Sequence, residues 1–189
     1  MISAILLAGG QSKRMKGENK LTKKIHGIPL INHSIKNILS SSINELIIVL
    51  GYEKEVIKKI IKNNDKIKFV FNKNFKTGMA SSIIAGLKKI SKKNEAFFIC
   101  LGDMPYIKSE IYNHLINSRN TKDIAVPIYN GTQGNPVLFA NSMKKNIMTI
   151  KGDVGAKKIL NLNKNKIESV HINNININKD FNTKESFSF

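Results

Sequence analysis

The residues best suited to bind a phosphate chain lie between Leu7 and Lys20, directly after the apolar segment ISAIL. This stretch, LAGGQSKRMKGENK, contains two adjacent glycines followed by a serine, an arginine and several lysines. Glycines allow backbone N–H groups to approach a ligand closely, and the cations supply fixed positive charge. A loop of this composition buries little apolar surface, so we expect it to serve anion binding rather than packing.

Arginine is rare in this chain, which makes one position in the loop informative. Only Arg14 and Arg119 are arginines among 31 basic residues. Where lysine is the usual cation, an arginine in the glycine loop suggests a need for its planar group, which binds phosphate oxygens in pairs.

A second candidate lies in the segment GDMP, where Asp103 follows the apolar run FFICL. Ligands of open parallel sheets bind beyond the carboxyl ends of the strands. If the strands before both loops are central, Gly9, Gly10, Arg14 and Lys20 lie on the same rim as Asp103. Asp103 alone is equally compatible with a simple turn residue. Together with the glycine loop, it favours a carboxylate ligand for Mg²⁺.

The sequence lacks the motifs of several common enzyme classes. The glycine loop fits neither G-x-x-x-x-G-K-[ST] nor G-x-G-x-x-G, which argues against a P-loop NTPase and a dinucleotide-dependent dehydrogenase. No G-x-S-x-G segment indicates hydrolase chemistry. Cys100 is the single cysteine and is interpreted as a small buried residue rather than a catalytic thiol. The four histidines have no metal-ligand spacing.

The pattern of apolar residues predicts strands that alternate with helices, and hence a doubly wound α/β fold with a mostly parallel sheet. Strands are predicted at residues 2–7, 45–50, 68–71, 96–101, 124–128, 136–139 and 167–172. Helices are predicted from Pro29 onward and at residues 53–62, 83–90, 109–117 and 155–162, and Ser81 and Ser82 occupy N-cap positions ahead of the helix at 83–90.

Length, hydropathy and charge limit the number of domains and the kinds of partner that we expect for this protein. The 189 residues suit a single domain, no apolar run reaches the length needed to cross a bilayer, and the start does not resemble a signal peptide, so we expect a cytoplasmic protein with no membrane partner. The net charge of +18 comes almost entirely from lysines spread along the chain. Because no basic stripe with aromatics or arginines is present, we expect no nucleic-acid partner.

The motifs together resemble the MobA-like NTP transferase family. The resemblance begins with LAGGQSKRM and continues through NKL at residues 19–21. Further similar segments follow in order: GIPL at 27–30, GMASS at 78–82, AGL at 85–87, GDMP at 102–105, GNPV at 134–137, GDVGA at 152–156 and DFNT at 180–183. Within the family, this set is most similar to molybdenum cofactor cytidylyltransferases.

The resemblance implies a Rossmann-like nucleotidyltransferase fold in three α/β/α layers, with residues 1–105 mainly binding the nucleotide and residues 106–189 mainly binding the acceptor. It implies Mg²⁺-dependent transfer of CMP from CTP to molybdopterin, with pyrophosphate release and a molybdoenzyme or its chaperone as a possible protein partner. The alternatives are GTP, which Gly9-Gly10 favours, another phosphorylated acceptor, or a non-catalytic protein that binds and delivers the cofactor.

The family's functional residues correspond to named positions in this sequence. The catalytic set is Arg14, Lys20 and Asp103, and the metal ligands are Asp103 and Asp180. The nucleotide-binding set is Leu7, Ala8, Gly9, Gly10, Ser12, Arg14, Lys20, Gly78 and Ser81. The acceptor-binding set is Met79, Ser82, Asn135, Pro136, Asp153 and Gly155.

Overall fold

A mixed eight-stranded sheet forms the centre of the protein in a computed structural model, which describes residues 1–15, 18–119 and 122–182. Thr183 of the DFNT segment lies outside the described residues. The strands of this sheet are β1 (Ile2–Ala8), β4 (Glu45–Leu50), β5 (Ile67–Phe71), β6 (Ala96–Leu101), β7 (Ile124–Tyr129), β8 (Thr132–Gln133), β9 (Val137–Ala140) and β10 (Ile167–His171). A separate hairpin consists of β2 (Lys24–Ile25) and β3 (Ile28–Pro29).

The helices are α1 (Leu30–Leu39), α2 (Lys54–Lys59), α3 (Met79–Lys89), α4 (Ser109–Ser118), α5 (Lys144–Ile147) and α6 (Ala156–Leu162). Short 3₁₀ turns occur at Lys13–Met15, Lys20–Thr22, Phe75–Thr77, Asn141–Met143, Lys164–Lys166 and Ile175–Asn178.

The strand order β10-β7-β9-β6-β1-β4-β5 confirms the predicted doubly wound, mostly parallel sheet. Strand β1 is parallel to both β4 and β6, and β4 is parallel to β5. The chain therefore builds outward from β1 in one direction and then returns to add β6 on its other side. Such a reversal leaves a crevice beyond the carboxyl ends of β1 and β6, which is where ligands bind in open α/β sheets. Strand β9 is antiparallel to both of its neighbours, β6 and β7.

Apolar residues cover both faces of this sheet. Helices α1, α2 and α4 pack on one face, and α3, α5 and α6 pack on the other, so that the protein has three layers. Strands β4 and β6 are buried almost throughout because helices cover them from both sides, which explains their continuous apolar sequences. None of the helices in the described residues is long and apolar enough to cross a bilayer.

Among the helix boundaries that differ from the sequence prediction, two have an identifiable cause in the backbone. Helix α3 begins at Met79, so Ser81 and Ser82 lie in its first turn and the prediction that they are N-caps is wrong. The residue before the helix is Gly78, whose φ of 112° favours glycine. Helix α2 begins only at Lys54, because Glu53 adopts a left-handed backbone with φ of 49°.

Candidate active site

A cavity of about 480 Å³ opens at the carboxyl edge of the sheet, beside the ends of β1 and β6. Its walls include loops after β1, β5 and β6 and the start of α3. The predicted site residues among its lining are Leu7, Gly9, Gly10, Ser12, Lys20, Gly78, Met79, Ser82, Asp103 and Asp153.

Lys20 and Asp103 meet in this cavity. The Lys20 ammonium donates a hydrogen bond to Oδ2 of Asp103, and their side chains are 18% and 12% exposed. The same ammonium lies 2.6 Å from Oδ1 of Asn182, near the end of the described chain. Because the ion pair is partly buried, water screens the attraction between its two charges only weakly.

The backbone around Lys20 is fixed by local hydrogen bonds. The Ser12 hydroxyl accepts a hydrogen bond from the Lys20 N–H at 3.2 Å, which ties the start of the glycine loop to its end. Asn19 caps the 3₁₀ turn of Lys20, since its Oδ1 accepts from the Leu21 N–H at 3.1 Å. The Lys20 side chain therefore leaves from a well-defined position on the rim.

Backbone hydrogen bonds also fix the position of Asp103, across the cavity from the Lys20 backbone. The Gly102 N–H donates to the Leu7 carbonyl at 3.2 Å, so the turn after β6 stays close to β1. The Asp103 carbonyl accepts from the Phe181 N–H at 3.0 Å, and the Asn182 amide donates to the Asp180 carboxylate. The segment that carries Asp180 is thereby attached to the site, although Asp180 is not among the cavity-lining residues.

Two carboxylates near this edge could contribute ligands to a divalent cation. Asp103 and Asp180 offer carboxylate oxygens, which are the ligands that Mg²⁺ prefers, and Oδ2 of Asp103 accepts from the Lys20 ammonium. Within the described residues, no three His, Cys, Asp or Glu side chains gather as a complete ligand set.

The two glycines after β1 have different surroundings. A Cβ on Gly9 would lie 3.1 Å from the backbone nitrogen of Gly51, so the loop packs against the end of β4 there. A Cβ on Gly10 would meet no atom within 4 Å. Gly10 therefore faces open space in the cavity and is not required by packing against the chain.

The wall opposite the glycine loop is formed by the start of α3 and the loop at residues 151–155, which we call the cap loop. The Met79 N–H donates to Oδ1 of Asp153 at 3.1 Å, and the Ala80 N–H donates to the Gly152 carbonyl at 3.2 Å. A Cβ on Gly155 would lie 2.9 Å from the Met79 sulfur, so Gly155 supports this wall from behind without lining the cavity.

Other predicted site residues lie outside the cavity lining. Arg14 is exposed in the turn Lys13–Met15, and Ala8 is buried at the end of β1. The Ser81 hydroxyl accepts from the Asn72 amide at 2.8 Å, which places it in the support of α3. Asn135 donates its N–H to the Ile177 carbonyl at 2.8 Å, and neither it nor Pro136 lines the cavity.

The loop after β5 was not predicted to contribute to the site, yet it supplies Phe75, Lys76 and Thr77 to the cavity. Asn72 organises this loop: it is 5% exposed, and its amide donates to the hydroxyls of both Ser81 and Ser82. The rule that ligands bind beyond the carboxyl ends of strands, applied to β5 as well as to β1 and β6, would have identified this segment.

Cys100 is buried within β6, as predicted. Burial raises the pKa of its thiol, while a hydrogen bond with Tyr112 acts in the opposite direction. A protonated, enclosed thiol is a poor nucleophile, so its role is in packing.

These features define an open α/β protein with a charged crevice at the topological switch point of its sheet. The chain belongs to the MobA-like NTP transferase domain family, whose model matches residues 4–170.

Curated relatives include proteins with different names. Bifunctional protein GlmU of Acetivibrio thermocellus is 25% identical over 176 residues, which cover 93% of this chain but 36% of that protein. A probable molybdenum cofactor guanylyltransferase of Methanosarcina acetivorans is 30% identical over 129 residues, covering 66% of this chain and 56% of the relative. The chain thus spans only about a third of the GlmU protein and just over half of the guanylyltransferase.

Solved structures share the fold at low sequence identity. A nucleotidyl transferase from Methanothermobacter thermautotroptrophicus superposes with a TM-score of 0.85 at 16% identity, covering 99% of this chain and 94% of that one.

Proposed function

We propose that this protein is a nucleotidyltransferase that transfers CMP from CTP to a phosphate of molybdopterin and releases pyrophosphate. The observation that carries the proposal is the contact of Lys20 with Asp103 in a cavity edged by the glycine loop. Membership of the NTP transferase family supports the reaction type. The order of motifs, from LAGG to GDVGA, supports the cytidylyl assignment.

The reaction is a direct in-line displacement. An oxygen of the acceptor phosphate attacks the α-phosphorus of CTP, a new P–O bond forms, and the bond from the α-phosphorus to the β-phosphate oxygen breaks. The electron pair leaves with pyrophosphate. Such chemistry depends mainly on positioning and on neutralising charge, so no covalent intermediate with the protein is needed.

The glycine loop binds the nucleotide in this proposal. Backbone groups from Leu7 to Ser12, including the open position at Gly10, approach the phosphates. Lys20 contacts the α-phosphate and stabilises its growing negative charge. Arg14, exposed at the same loop, neutralises the β- and γ-phosphates, and Gly78 and Ser81 complete the nucleotide side.

Asp103 and Asp180 are the proposed ligands of Mg²⁺, which would neutralise the charge of the phosphates when bound. The fold presents both carboxylates at one edge of the sheet. Asp103 follows the end of β6, and the Asn182 amide holds the Asp180 carboxylate by a hydrogen bond.

The acceptor lies on the side of α3 and the cap loop in this proposal. Met79, Ser82 and Asp153 line the cavity there, and Gly155 supports them. Asn135 and Pro136 extend the acceptor side beyond the cavity. Residues 1–105 thus act mainly on the nucleotide and residues 106–189 mainly on the acceptor, within one domain. A molybdoenzyme or its chaperone would receive the product.

GTP is the second candidate nucleotide. The similarity to a probable molybdenum cofactor guanylyltransferase favours it, as does the Gly9-Gly10 pair. Both nucleotides share the triphosphate, so the residues that act on the phosphates serve either one.

Pyrophosphate release in Mg²⁺ with CTP, GTP, UTP and ATP, with and without molybdopterin, tests the proposal. We expect release that requires both CTP and molybdopterin. Faster release with GTP would reassign the nucleotide, and release with CTP but another phosphorylated acceptor would reassign the acceptor. Absence of release with all four nucleotides would overturn the catalytic assignment and leave a cofactor-binding protein.

The variant Asp103→Ala should lower turnover at least about a hundredfold, because it removes a metal ligand beside the reacting phosphates. Circular dichroism would verify that the variant is folded. Asp65→Ala is the matched control, since Asp65 is exposed near the opposite end of the sheet, before β5. Normal turnover by Asp103→Ala in Mg²⁺ would refute the metal role.

A further inference from the structure

Helix α3 begins without a cap from its own sequence. Gly78 at the N-cap position makes no side-chain hydrogen bond, and the hydroxyl of Ser81 is within hydrogen-bond distance of the Gly78 and Asn74 carbonyls. The first N–H groups of a helix lack partners within the helix and need acceptors from elsewhere. In α3 the acceptors come from the cap loop, more than seventy residues away along the chain.

Asp153 supplies the principal cap. Its Oδ1 accepts from the Met79 N–H at 3.1 Å, and the neighbouring Gly152 carbonyl accepts from the Ala80 N–H at 3.2 Å. A carboxylate at this end of a helix is also favoured by the helix dipole. A cap of this kind is normally provided by the residue directly before the helix; here it is provided by a remote loop.

The two segments fit together without spare room. A Cβ on Gly78 would lie 2.4 Å from the carbonyl carbon of Gly152 and 2.5 Å from the nitrogen of Asp153. Only glycine at residue 78, with its φ of 112°, allows the backbone of the cap loop to approach this closely.

This contact forms one wall of the cavity, because Gly78, Met79, Ser82 and Asp153 all line it. We propose that Asp153 is a positioning residue: its carboxylate caps α3 and thereby holds the wall at residues 78–82 in the shape that binds the nucleotide beside Gly78 and the acceptor beside Met79 and Ser82. The inference rests on the proposed function and deepens it, since it assigns Asp153 a role through α3 rather than a direct charge contact with substrate.

Substitutions at Asp153 separate the two roles. Asparagine retains an oxygen that can accept from the Met79 N–H, and Asn and Asp are similarly effective caps, whereas alanine has no acceptor. If Asp153 acts through the cap, Asp153→Asn should restore what Asp153→Ala loses. If Asp153 acts through its negative charge on substrate or metal, both variants should be equally impaired.

The first measurement is the Kd of magnesium-CTP without acceptor, by calorimetry, together with kcat in the pyrophosphate assay. We expect Asp153→Ala to raise Kd about tenfold, because the wall at residues 78–82 loses the cap that orders it, and Asp153→Asn to raise Kd less than about threefold, because asparagine keeps the cap. We expect kcat to change less than about threefold in both, because the wall binds rather than reacts. Asp65→Ala and Asp65→Asn are controls of the same chemistry. Equal losses in the Asn and Ala variants, or a loss confined to kcat, would overturn the proposal.

The second measurement does not need turnover or CTP binding. Amide hydrogen exchange of Met79 and Ala80, followed by NMR on the full chain, should speed up about tenfold in Asp153→Ala and remain near wild type in Asp153→Asn. Unchanged exchange in Asp153→Ala would refute the cap. Faster exchange in a protein that transfers no nucleotide would support the cap while refuting the proposed function.

Discussion

The two adjacent glycines in the loop after β1 differ in how closely other atoms surround them. Gly9 lies against the backbone of Gly51, where an added Cβ would come within 3.1 Å of nitrogen and 3.2 Å of Cα. Gly10 has no neighbour within 4 Å of the position of a Cβ, and its backbone φ is not in the left-handed region. In the proposed function, the close approach of a ligand would account for a glycine that neither packing nor backbone geometry requires.

Gly10→Ala therefore tests the ligand contact separately from the fold. We expect the free energy of unfolding to stay the same or rise by up to about 1 kcal/mol, since alanine at a compatible φ restricts the unfolded chain. We expect the Kd of magnesium-CTP to rise at least about fivefold, because the methyl group would occupy the space of the phosphates. Chemical denaturation and calorimetry measure the two effects.

Gly9→Ala serves as the contrasting variant. Its Cβ would press on Gly51, so stability should fall along with binding. Normal CTP binding by Gly10→Ala would show that the phosphates do not approach this loop.

Residue chemistry in the sequence placed Lys20 and Asp103 on one rim of the predicted sheet, and the structure brings their side chains together. Their roles in phosphate and metal binding stay predictions. Lys76 and Phe75 were missed because lysine is common in this chain and a phenylalanine resembles a core residue. Only their position beyond β5, at the same edge of the sheet, distinguishes them.

At the scale of elements, the amino ends of the strands are joined by a buried polar cluster around Glu45, the first residue of β4. Glu45 accepts from the Ser3 hydroxyl at 2.6 Å and the Ser91 N–H at 2.8 Å, and Lys68 of β5 lies 2.7 Å from its other oxygen. Burial acts to raise the pKa of Glu45, but these hydrogen bonds outweigh it, and its pKa is lowered. The cluster thereby links β1, β4 and β5 at the edge opposite the cavity.

A lowered pKa makes this link dependent on pH. Because the folded state binds the proton of Glu45 less readily than the unfolded state, its contribution is complete above the ordinary glutamate pKa and is lost as the pH falls through the folded pKa. We expect Glu45→Gln to lower the free energy of unfolding by about 1–2 kcal/mol at pH 7, and this difference from wild type to narrow as the pH approaches about 3. Urea denaturation from pH 7 to pH 3 measures the difference.

The exposed Glu55, in α2, provides the control. Glu55→Gln should remain within about 0.5 kcal/mol of wild type at each pH. A Glu45→Gln difference that stays constant with pH would contradict the ionised state of the cluster.

Elements defined by their own apolar pattern were the ones that the sequence predicted well. The bounds of β4 and β6 were predicted correctly because helices cover them on both faces and their sequences are continuously apolar. The start of α3 was placed too late because its cap comes from the cap loop, a tertiary contact that no local pattern reveals. The hairpin of β2 and β3 was not predicted, since strands of two residues have no periodicity to detect.

At the scale of the whole molecule, the site joins parts of the chain that are far apart in sequence. The Lys20 ammonium contacts Asp103, 83 residues away, and Asn182, 162 residues away. Phe181 also packs against Tyr106, with ring centroids 5.5 Å apart, so the late segment is anchored beside β6. The resemblance to the family predicted that residues 20, 103 and 180 act together, but not that Lys20 would pair with the proposed metal ligand.

If Asp103 holds the metal and Lys20 contacts the phosphates, as proposed, this pairing couples the binding of metal to the binding of nucleotide. A cation that enters at Asp103 must compete with the Lys20 ammonium, whose other partner, the Asn182 amide, carries no charge. The phosphate oxygens of a nucleotide are an alternative anionic partner for the Lys20 ammonium. When Lys20 moves to the phosphates, the Asp103 carboxylate becomes free to bind the metal. The metal should therefore bind weakly to the protein alone and more tightly once nucleotide is present.

Lys20→Met removes the competing charge and retains much of the length of the side chain. We expect the Kd of Mn²⁺ without nucleotide, measured by electron paramagnetic resonance, to fall about tenfold relative to wild type, since an adjacent unit charge at a partly buried site is worth this order of free energy. The same variant should bind CTP more weakly and lose the enhancement of Mn²⁺ binding by nucleotide. Lys23→Met is the matched control, because Lys23 pairs with Glu18 at 2.6 Å rather than with Asp103. Equal Mn²⁺ affinity in Lys20→Met and wild type would mean that Lys20 does not compete for the proposed metal position, and the coupling of metal to nucleotide would then need another origin.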